Sequence, residues 1–206
     1  PSGRVGRFRD LRGSAGMSRA LRLRMPTSSL PVAIVTGAGS GIGRSTAQML
    51  SELGYCVVLV GRRLDALERT AGMIKGESIG VAADIAEPGS AAEIVRSTIE
   101  RFGRIDVLVN NAGYAPLCEI DKCTPELLEH VYGVNAVGPA MLTAAVWPLM
   151  VAARRGCVVY VSTLGTHDPF PGFFAYASAK AAVNVMARMC AREGKQHGIR
   201  SFSVAP

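Results

Sequence analysis

Apolar residues in this chain come in short unbroken runs, set between longer stretches where they recur every three or four positions. The unbroken runs are 32–36, 56–60, 79–82, 107–110, 157–162 and 200–204. Each has the length of a strand and is apolar on both faces, which is the pattern of parallel strands covered from two sides. Between them, 41–53, 62–73, 90–102, about 125–151 and 176–196 carry the helical period. Strands that alternate with helices connect by right-handed crossovers. The expectation is an α/β fold with a single doubly wound parallel sheet flanked by helices, occupying residues 31–206.

Composition adds limits. A hydrophobic fraction of 49% against 19% charged supplies a core and excludes a disordered chain. The five cysteines are odd in number and scattered, without the close pairs of a zinc site, so a disulfide scaffold is excluded and a reducing compartment fits. Gly, Pro or a charge interrupts every apolar stretch before the ~18 residues that span a bilayer, so no membrane span is expected.

The net charge of +7 points toward nucleic acid only until it is located. Residues 1–30 hold seven arginines against one aspartate, Asp10, leaving sixteen basic and fifteen acidic side chains over the other 176. The basic character therefore belongs to a tail, and no nucleic-acid role is expected of the core. The tail reads as disordered or non-native upstream sequence, with initiation at Met17 or Met25 and a cytoplasmic protein. The alternatives are an organellar transit peptide or an acid-binding arm.

The first apolar run ends in Thr36-Gly37-Ala38-Gly39-Ser40-Gly41-Ile42-Gly43. Glycines let the chain turn sharply and let backbone approach a pyrophosphate at a helix N-terminus. The spacing is T-G-x-x-x-G-I-G rather than G-x-G-x-x-G. Directly after the first strand of an α/β chain, it marks a dinucleotide site of Rossmann-like type. A site selective for NAD wants an acid about 20 residues on. Here the second run ends in Val60-Gly61-Arg62-Arg63. The planar fork of arginine suits a phosphate, so Arg62 is the candidate for the 2′-phosphate of NADP, with Arg63 and Ser40 as helpers and NAD the lesser choice.

Tyr176-Ala177-Ser178-Ala179-Lys180 sets a phenol and an ammonium at i and i+4 on one helix face. A nearby ammonium stabilises phenolate and is expected to lower the tyrosine from its ordinary pKa of ~10. That favours proton transfer near neutral pH. Together with the glycine loop, Asn110-Asn111-Ala112-Gly113, Asn135 and Ser162, this order resembles the classical branch of the short-chain dehydrogenase/reductase family over about residues 32–206.

The resemblance implies an NADP(H)-dependent oxidoreductase that interconverts a carbonyl and an alcohol by hydride transfer, with no metal. Tyr176 would be the general acid/base and Lys180 its modulator, also bonding the nicotinamide ribose. Ser162 would bond the substrate oxygen, and Asn135 would order a water linking Lys180 to solvent. Gly37, Ser40, Gly41, Ile42, Gly43 and Arg62 would bind cofactor, as would Asp84 and Ile85 beside the adenine. Asn110, Asn111, Ala112 and Gly113 would shape the adenosine wall, and Pro206 completes the cofactor-binding positions. Thr163 competes with Ser162, because it lies nearer the usual distance from the tyrosine.

His130, His167 and His197 lack a partner pattern and read as surface residues. The segments 114–123 and 166–174 hold Tyr114, Leu117, Phe170, Phe173 and Phe174, which read either as the wall of a pocket for an apolar substrate or as plain core or subunit contacts. The family pattern continues past Ser203-Val204-Ala205-Pro206 into a segment that covers the nicotinamide. Without it, the chain is expected to bind cofactor weakly and turn over slowly. A homodimer or homotetramer through 125–151 and 176–196 follows from the resemblance. The alternative function on the same fold is a non-catalytic NADP sensor or scaffold.

Overall fold

A computed structural model describes residues 28–206. The tail reading for residues 1–30 falls almost wholly outside them. Six strands form one parallel sheet in the order β3-β2-β1-β4-β5-β6. They are β1 (Val32–Thr36), β2 (Cys56–Gly61), β3 (Ser78–Ala82), β4 (Val107–Asn110), β5 (Gly156–Val161) and β6 (Ile199–Val204). The helices are α1 (Gly41–Glu52), α2 (Leu64–Ala71), α3 (Ser90–Phe102), α4 (Pro125–Tyr132), α5 (Gly138–Ala153) and α6 (Phe174–Gly194).

Continuous apolar strands are buried on both faces at the centre of the sheet. Every residue of β1 is buried, as are Cys56 to Val60 of β2. One face carries Val32, Ile34, Val58 and Leu108 against Ile94 and Phe102 of α3, Leu142, Val146 and Met150 of α5, and Val183 of α6. The other carries Val35, Val57, Leu59 and Val109 against Ala47 of α1 and Leu67 of α2. Each fully buried Ile, Leu or Met contributes about 2–3 kcal/mol, which fixes strand order and helix placement. The pattern thins outward: on β6, Arg200 and the run Phe202 to Val204 are exposed.

The stretch expected as one helix over 125–151 is helical without a gap from Pro125 to Ala153, but not α-helical throughout. A five-residue π turn, Gly133–Val137, separates α4 from α5. Thr124 starts α4 properly, its side chain accepting from Leu127 N–H at 3.2 Å, with Pro125 in the first helical position. The expectation that no stretch reaches membrane-spanning length is also corrected. Pro125–Ala153 has 29 residues and a best-window mean hydropathy of 1.6, enough by length and composition. Leu142, Val146 and Met150 of this run pack into the sheet's core.

Candidate active site

The chain leaves β1 for β2 on one side, while β4 lies on its other side, so the sheet's winding reverses between β1 and β4. Open α/β sheets place their ligand crevice at that reversal, beyond the carboxyl ends of the strands. A cleft of about 540 Å³ lies there, and it runs from the glycine loop to Tyr176 and Lys180.

The loop's shape is dictated by close contact. Gly37 has φ +66°, and a Cβ there would sit 2.8 Å from Asn111 Nδ2 and 3.0 Å from Ala112 Cα. Thr36 ties the same two segments together. Its Oγ1 accepts from the N–H groups of Asn111 and Ala112, both at 2.9 Å, and donates to the Val109 carbonyl at 3.3 Å. Asn111 Nδ2 returns a bond to the Thr36 carbonyl at 2.8 Å. Ser40 is the extended N-cap of α1, yet its side chain caps nothing and the first turn holds no acid. The positive end of a 12-residue helix, with Ser40, Gly41 and Ile42 lining the cleft, fits a phosphate.

At the adenosine end the cleft is lined by Arg62, Arg63, Asp84 and Ile85. Arg62 Nη1 lies 3.8 Å from Asp84 Oδ2, with the arginine side chain 67% exposed. Such a pair is worth well under about 1 kcal/mol, so an incoming anion can compete for the guanidinium. Asp84 Oδ1 also accepts from Ala86 N–H at 3.0 Å, which fixes the turn after β3.

At the opposite end, Tyr176 lies in the first turn of α6 and Lys180 one turn on, with Nζ 5.8 Å from the phenol ring's centroid. Lys180 is 3% exposed, and its Nζ donates to the Val161 carbonyl at 2.7 Å. Burial depresses the ammonium from 10.5 to about 8 and raises the Tyr176 phenol above its ordinary range. The sequence expectation of a phenol lowered by its lysine is therefore reversed: the direction is upward, and its cause is desolvation by burial. Ser162 is buried, lines the cleft, and its Oγ has no hydrogen-bond partner in the protein. That orphaned hydroxyl fits a ligand oxygen. Thr163 also lines the cleft, but its Oγ1 already accepts from Gly165 N–H at 3.2 Å, capping the turn Leu164–Thr166. Ser162 and Thr163 thus differ in that only the Ser162 hydroxyl is wholly unpartnered within the protein.

Three expected site residues do not line the cleft. Gly43 lies beneath the glycine loop, where a Cβ would run into the Gly37 carbonyl. Asn110 points to the α5 side and donates to Thr143 Oγ1 at 3.2 Å, and Thr143 in turn meets the Tyr160 hydroxyl at 2.8 Å. Asn135 is fully buried. Its Nδ2 donates to the carbonyls of Tyr114 at 2.7 Å and Val131 at 2.9 Å, and its Oδ1 accepts from Tyr114 N–H at 3.2 Å. It holds the segment after β4 in place. A Cβ on Gly113 would lie 3.1 Å from Asn135 Oδ1 and 3.6 Å from Lys180 Nζ, so that glycine lets both head groups approach.

The other expected residues — Gly37, Ser40, Gly41, Ile42, Arg62, Asp84, Ile85, Asn111, Ala112, Gly113, Ser162, Tyr176, Lys180 and Pro206 — share the one cleft. Sequence reasoning placed Tyr114 beside the substrate, and the structure has it in the lining; it missed Ala66, Val134 and Val161 there, and Thr36 beneath it. Among the described residues no group of three or more His, Cys, Asp or Glu could hold a metal.

Sheets of this winding, with a glycine-rich first loop and a tyrosine–lysine pair across the crevice, define a class of dinucleotide-binding oxidoreductases. The chain belongs to the short chain dehydrogenase family, whose model matches residues 31–206. It is similar to a short chain dehydrogenase of Pseudocercospora fijiensis, at 38% identity over 84% of this chain and 58% of that one. It is likewise similar to dehydrogenase/reductase SDR family member 7B of Bos taurus, at 33% identity over 85% of this chain and 57% of that one. The chain thus spans under two thirds of the length of these two relatives. Among solved structures, a metagenomic short-chain oxidoreductase in complex with NADP superposes with TM-score 0.83 at 34% identity, covering 87% of this chain and 84% of that one. An NAD+-bound xylitol dehydrogenase superposes with TM-score 0.82 at 27% identity, covering 85% and 69%. Proteins of this family bind nicotinamide cofactors and act on small molecules.

Proposed function

We propose that the chain forms the cofactor-binding and catalytic part of an NADP(H)-dependent oxidoreductase that interconverts a carbonyl and an alcohol. The observation that carries this reading is one cleft with Arg62 at one end and Ser162, Tyr176 and Lys180 at the other. Ser40, Gly41 and Ile42 at the start of α1 would hold the pyrophosphate, and Asp84, Ile85 and Asn111 to Gly113 the adenosine. Arg62, with Arg63 beside it, would take the 2′-phosphate that separates NADP from NAD. Bound there, the nicotinamide would supply or accept the hydride.

The chain's own residues handle the proton and the oxygen. Ser162 Oγ, buried and unpartnered, offers a donor to the substrate oxygen. Tyr176 offers the second donor and holds the proton to be transferred, because burial keeps its phenol protonated at neutral pH. Donors already in place meet charge as it develops on that oxygen. Lys180 keeps a positive charge beside the phenol. Its pKa of about 8 leaves it mostly protonated at pH 7, so a phenolate formed by proton transfer is stabilised.

The segments 114–123 and 166–174 favour an apolar substrate. Phe173 stacks on Phe170 at 4.0 Å and meets the Tyr176 ring edge-on at 5.1 Å, while Leu117 and Phe174 are exposed. Self-association through α5 and α6 belongs to the same reading, supported by exposed Met141, Val185 and Met189 on those helices.

The test is titration of the chain with NADPH and NADH, following nicotinamide fluorescence, for the wild type and Arg62→Ala. NADPH is expected to bind more tightly, with the preference falling about 10- to 150-fold in the variant, as loss of a charge-assisted bond of about 1.5–3 kcal/mol implies. Equal binding of both cofactors to the wild type would overturn the NADP assignment. An intact Ser162, Tyr176 and Lys180 set argues against a sensor, which has no use for a proton relay.

A further inference from the structure

The sequence shows five scattered cysteines, but the fold brings two of them together. Cys118 and Cys123 flank the short turn Ile120–Lys122, and both sulfurs rest on the Glu119 carbonyl, at 3.4 and 3.5 Å. Both thiols therefore converge on one backbone oxygen, and both are partly accessible. The other three lie apart: Cys56 is buried in β2, Cys157 lies in β5, and Cys190 of α6 meets the Tyr160 hydroxyl at 3.6 Å.

The pair sits at a structural junction. Cys118 N–H donates to the Gly172 carbonyl at 2.9 Å, and Cys118 forms an isolated parallel bridge with Phe173. Phe173 is the N-cap of α6 and lies against the Tyr176 ring. Cys118 is therefore where the 114–123 segment is clipped to the segment that leads into the tyrosine's helix.

We propose that Cys118 and Cys123 form a dithiol site for small thiol-reactive molecules, which a low-molecular-weight disulfide converts to an intramolecular disulfide. One thiolate attacks a sulfur of the oxidant and releases the first thiolate of that molecule. The second cysteine attacks the resulting mixed disulfide and releases the other. The protein pair loses two electrons, the oxidant gains two, and the two thiol protons end on the two released thiolates. Desolvation, with Cys118 and Asp121 beside it, raises the Cys123 thiol, so the reaction starts from a minority thiolate at neutral pH. Closure makes a ring of residues 118–123 and fixes the backbone that Cys118 presents to Gly172 and Phe173. The effect of closure on substrate access rests on the proposed function; the dithiol chemistry does not.

The experiment exposes the full chain separately to glutathione disulfide, dithiothreitol and phenylarsine oxide, followed by alkylation and peptide mapping by mass spectrometry. Under glutathione disulfide the peptide holding both cysteines should lose two hydrogens and regain them in dithiothreitol. The arsenical should shield both from alkylation while Cys157 and Cys190 remain reactive. In Cys123→Ser, a glutathione adduct on Cys118 should replace the internal disulfide, and arsenical protection should vanish.

Hydrogen exchange at the Cys118 and Phe173 amides should slow about threefold on oxidation of the wild type and not of the variant. Separate adducts on the two cysteines with no internal bond would overturn the site. Unchanged exchange would overturn its coupling to α6. NADPH titration of the reduced chain reports separately on the function: failure to bind would remove that reading and leave a mapped disulfide standing.

Discussion

Lys180 carries the largest electrostatic cost in the cleft, and that cost is measurable as a pH dependence of stability. It is 3% exposed, and the partner of its Nζ is a neutral carbonyl, that of Val161. Burial shifts its pKa from 10.5 to about 8, and each unit corresponds to 1.36 kcal/mol, so the charged form is disfavoured in the fold by about 3 kcal/mol. Between those two values the unfolded chain binds the proton and the folded chain does not. Stability therefore rises with pH through this window. Below about 8 both states are protonated and the full cost is present.

Lys180→Met keeps the stem's shape and removes the charge. The stability of the wild type minus that of the variant should rise by about 3 kcal/mol from pH 7 to pH 11, while effects of other titrating groups cancel in the difference. At pH 7 the variant loses a charge-assisted hydrogen bond worth about 1.5–3 kcal/mol, which offsets most of what it gains. The two proteins should therefore be nearly equal there, and the wild type the more stable at high pH. Urea unfolding, followed by circular dichroism and the single Trp147, gives the difference directly. A difference flat to within about 0.5 kcal/mol would mean the ammonium is not desolvated, and one that fell with pH would mean it is ion-paired.

Tyr176→Phe should lower turnover about 10²–10⁴-fold while leaving NADPH affinity within about threefold, since only the proton donor is lost; turnover at the wild-type rate would refute the assignment. Because burial raises the Tyr176 phenol, wild-type carbonyl reduction should hold its rate through neutral pH. Alcohol oxidation, which needs the phenolate, should climb into the alkaline range, and a profile with the opposite slopes would remove Tyr176 as the proton carrier. Thr36→Val matches the side chain in shape but leaves the N–H groups of Asn111 and Ala112 without their acceptor. It should destabilise the chain by about 2–4 kcal/mol in urea unfolding, and a loss below about 1 kcal/mol would show that this junction is not held by the threonine.

Most of the fold was legible because β1 and β2 are buried along their whole length, and strands of that kind leave an unbroken apolar signature. The cofactor end of the cleft was legible because backbone approach demands glycine at positions such as Gly37. Asn110 was expected on the cleft wall and does not line it. It is the last residue of β4, whereas Asn111 belongs to the loop beyond it. Asn111 turns to Thr36 and Asn110 to Thr143. The Tyr176 pKa was out of reach, because the spacing gives the lysine's position along the helix but not how deeply both groups are desolvated.

The π turn between α4 and α5 is the instructive case, because the hydropathy runs through it without interruption. Only 39% of the best window is buried, so apolarity along this segment did not report its packing. What marks the π turn is the pair Gly133 and Gly138 around Asn135. A Cβ at Gly138 would lie 2.7 Å from the Ile85 carbonyl, and one at Gly133 would touch Ala86 at 3.4 Å. Both glycines let the helix lie against the turn after β3, which carries the adenosine-side residues of the cleft. The extra residue of the π turn goes with an Asn135 whose amide bonds the Tyr114 backbone. Two glycines bracketing an asparagine, where helix propensity is poor and no cap is needed, therefore point to a helix deformed so that one side chain can hold the site.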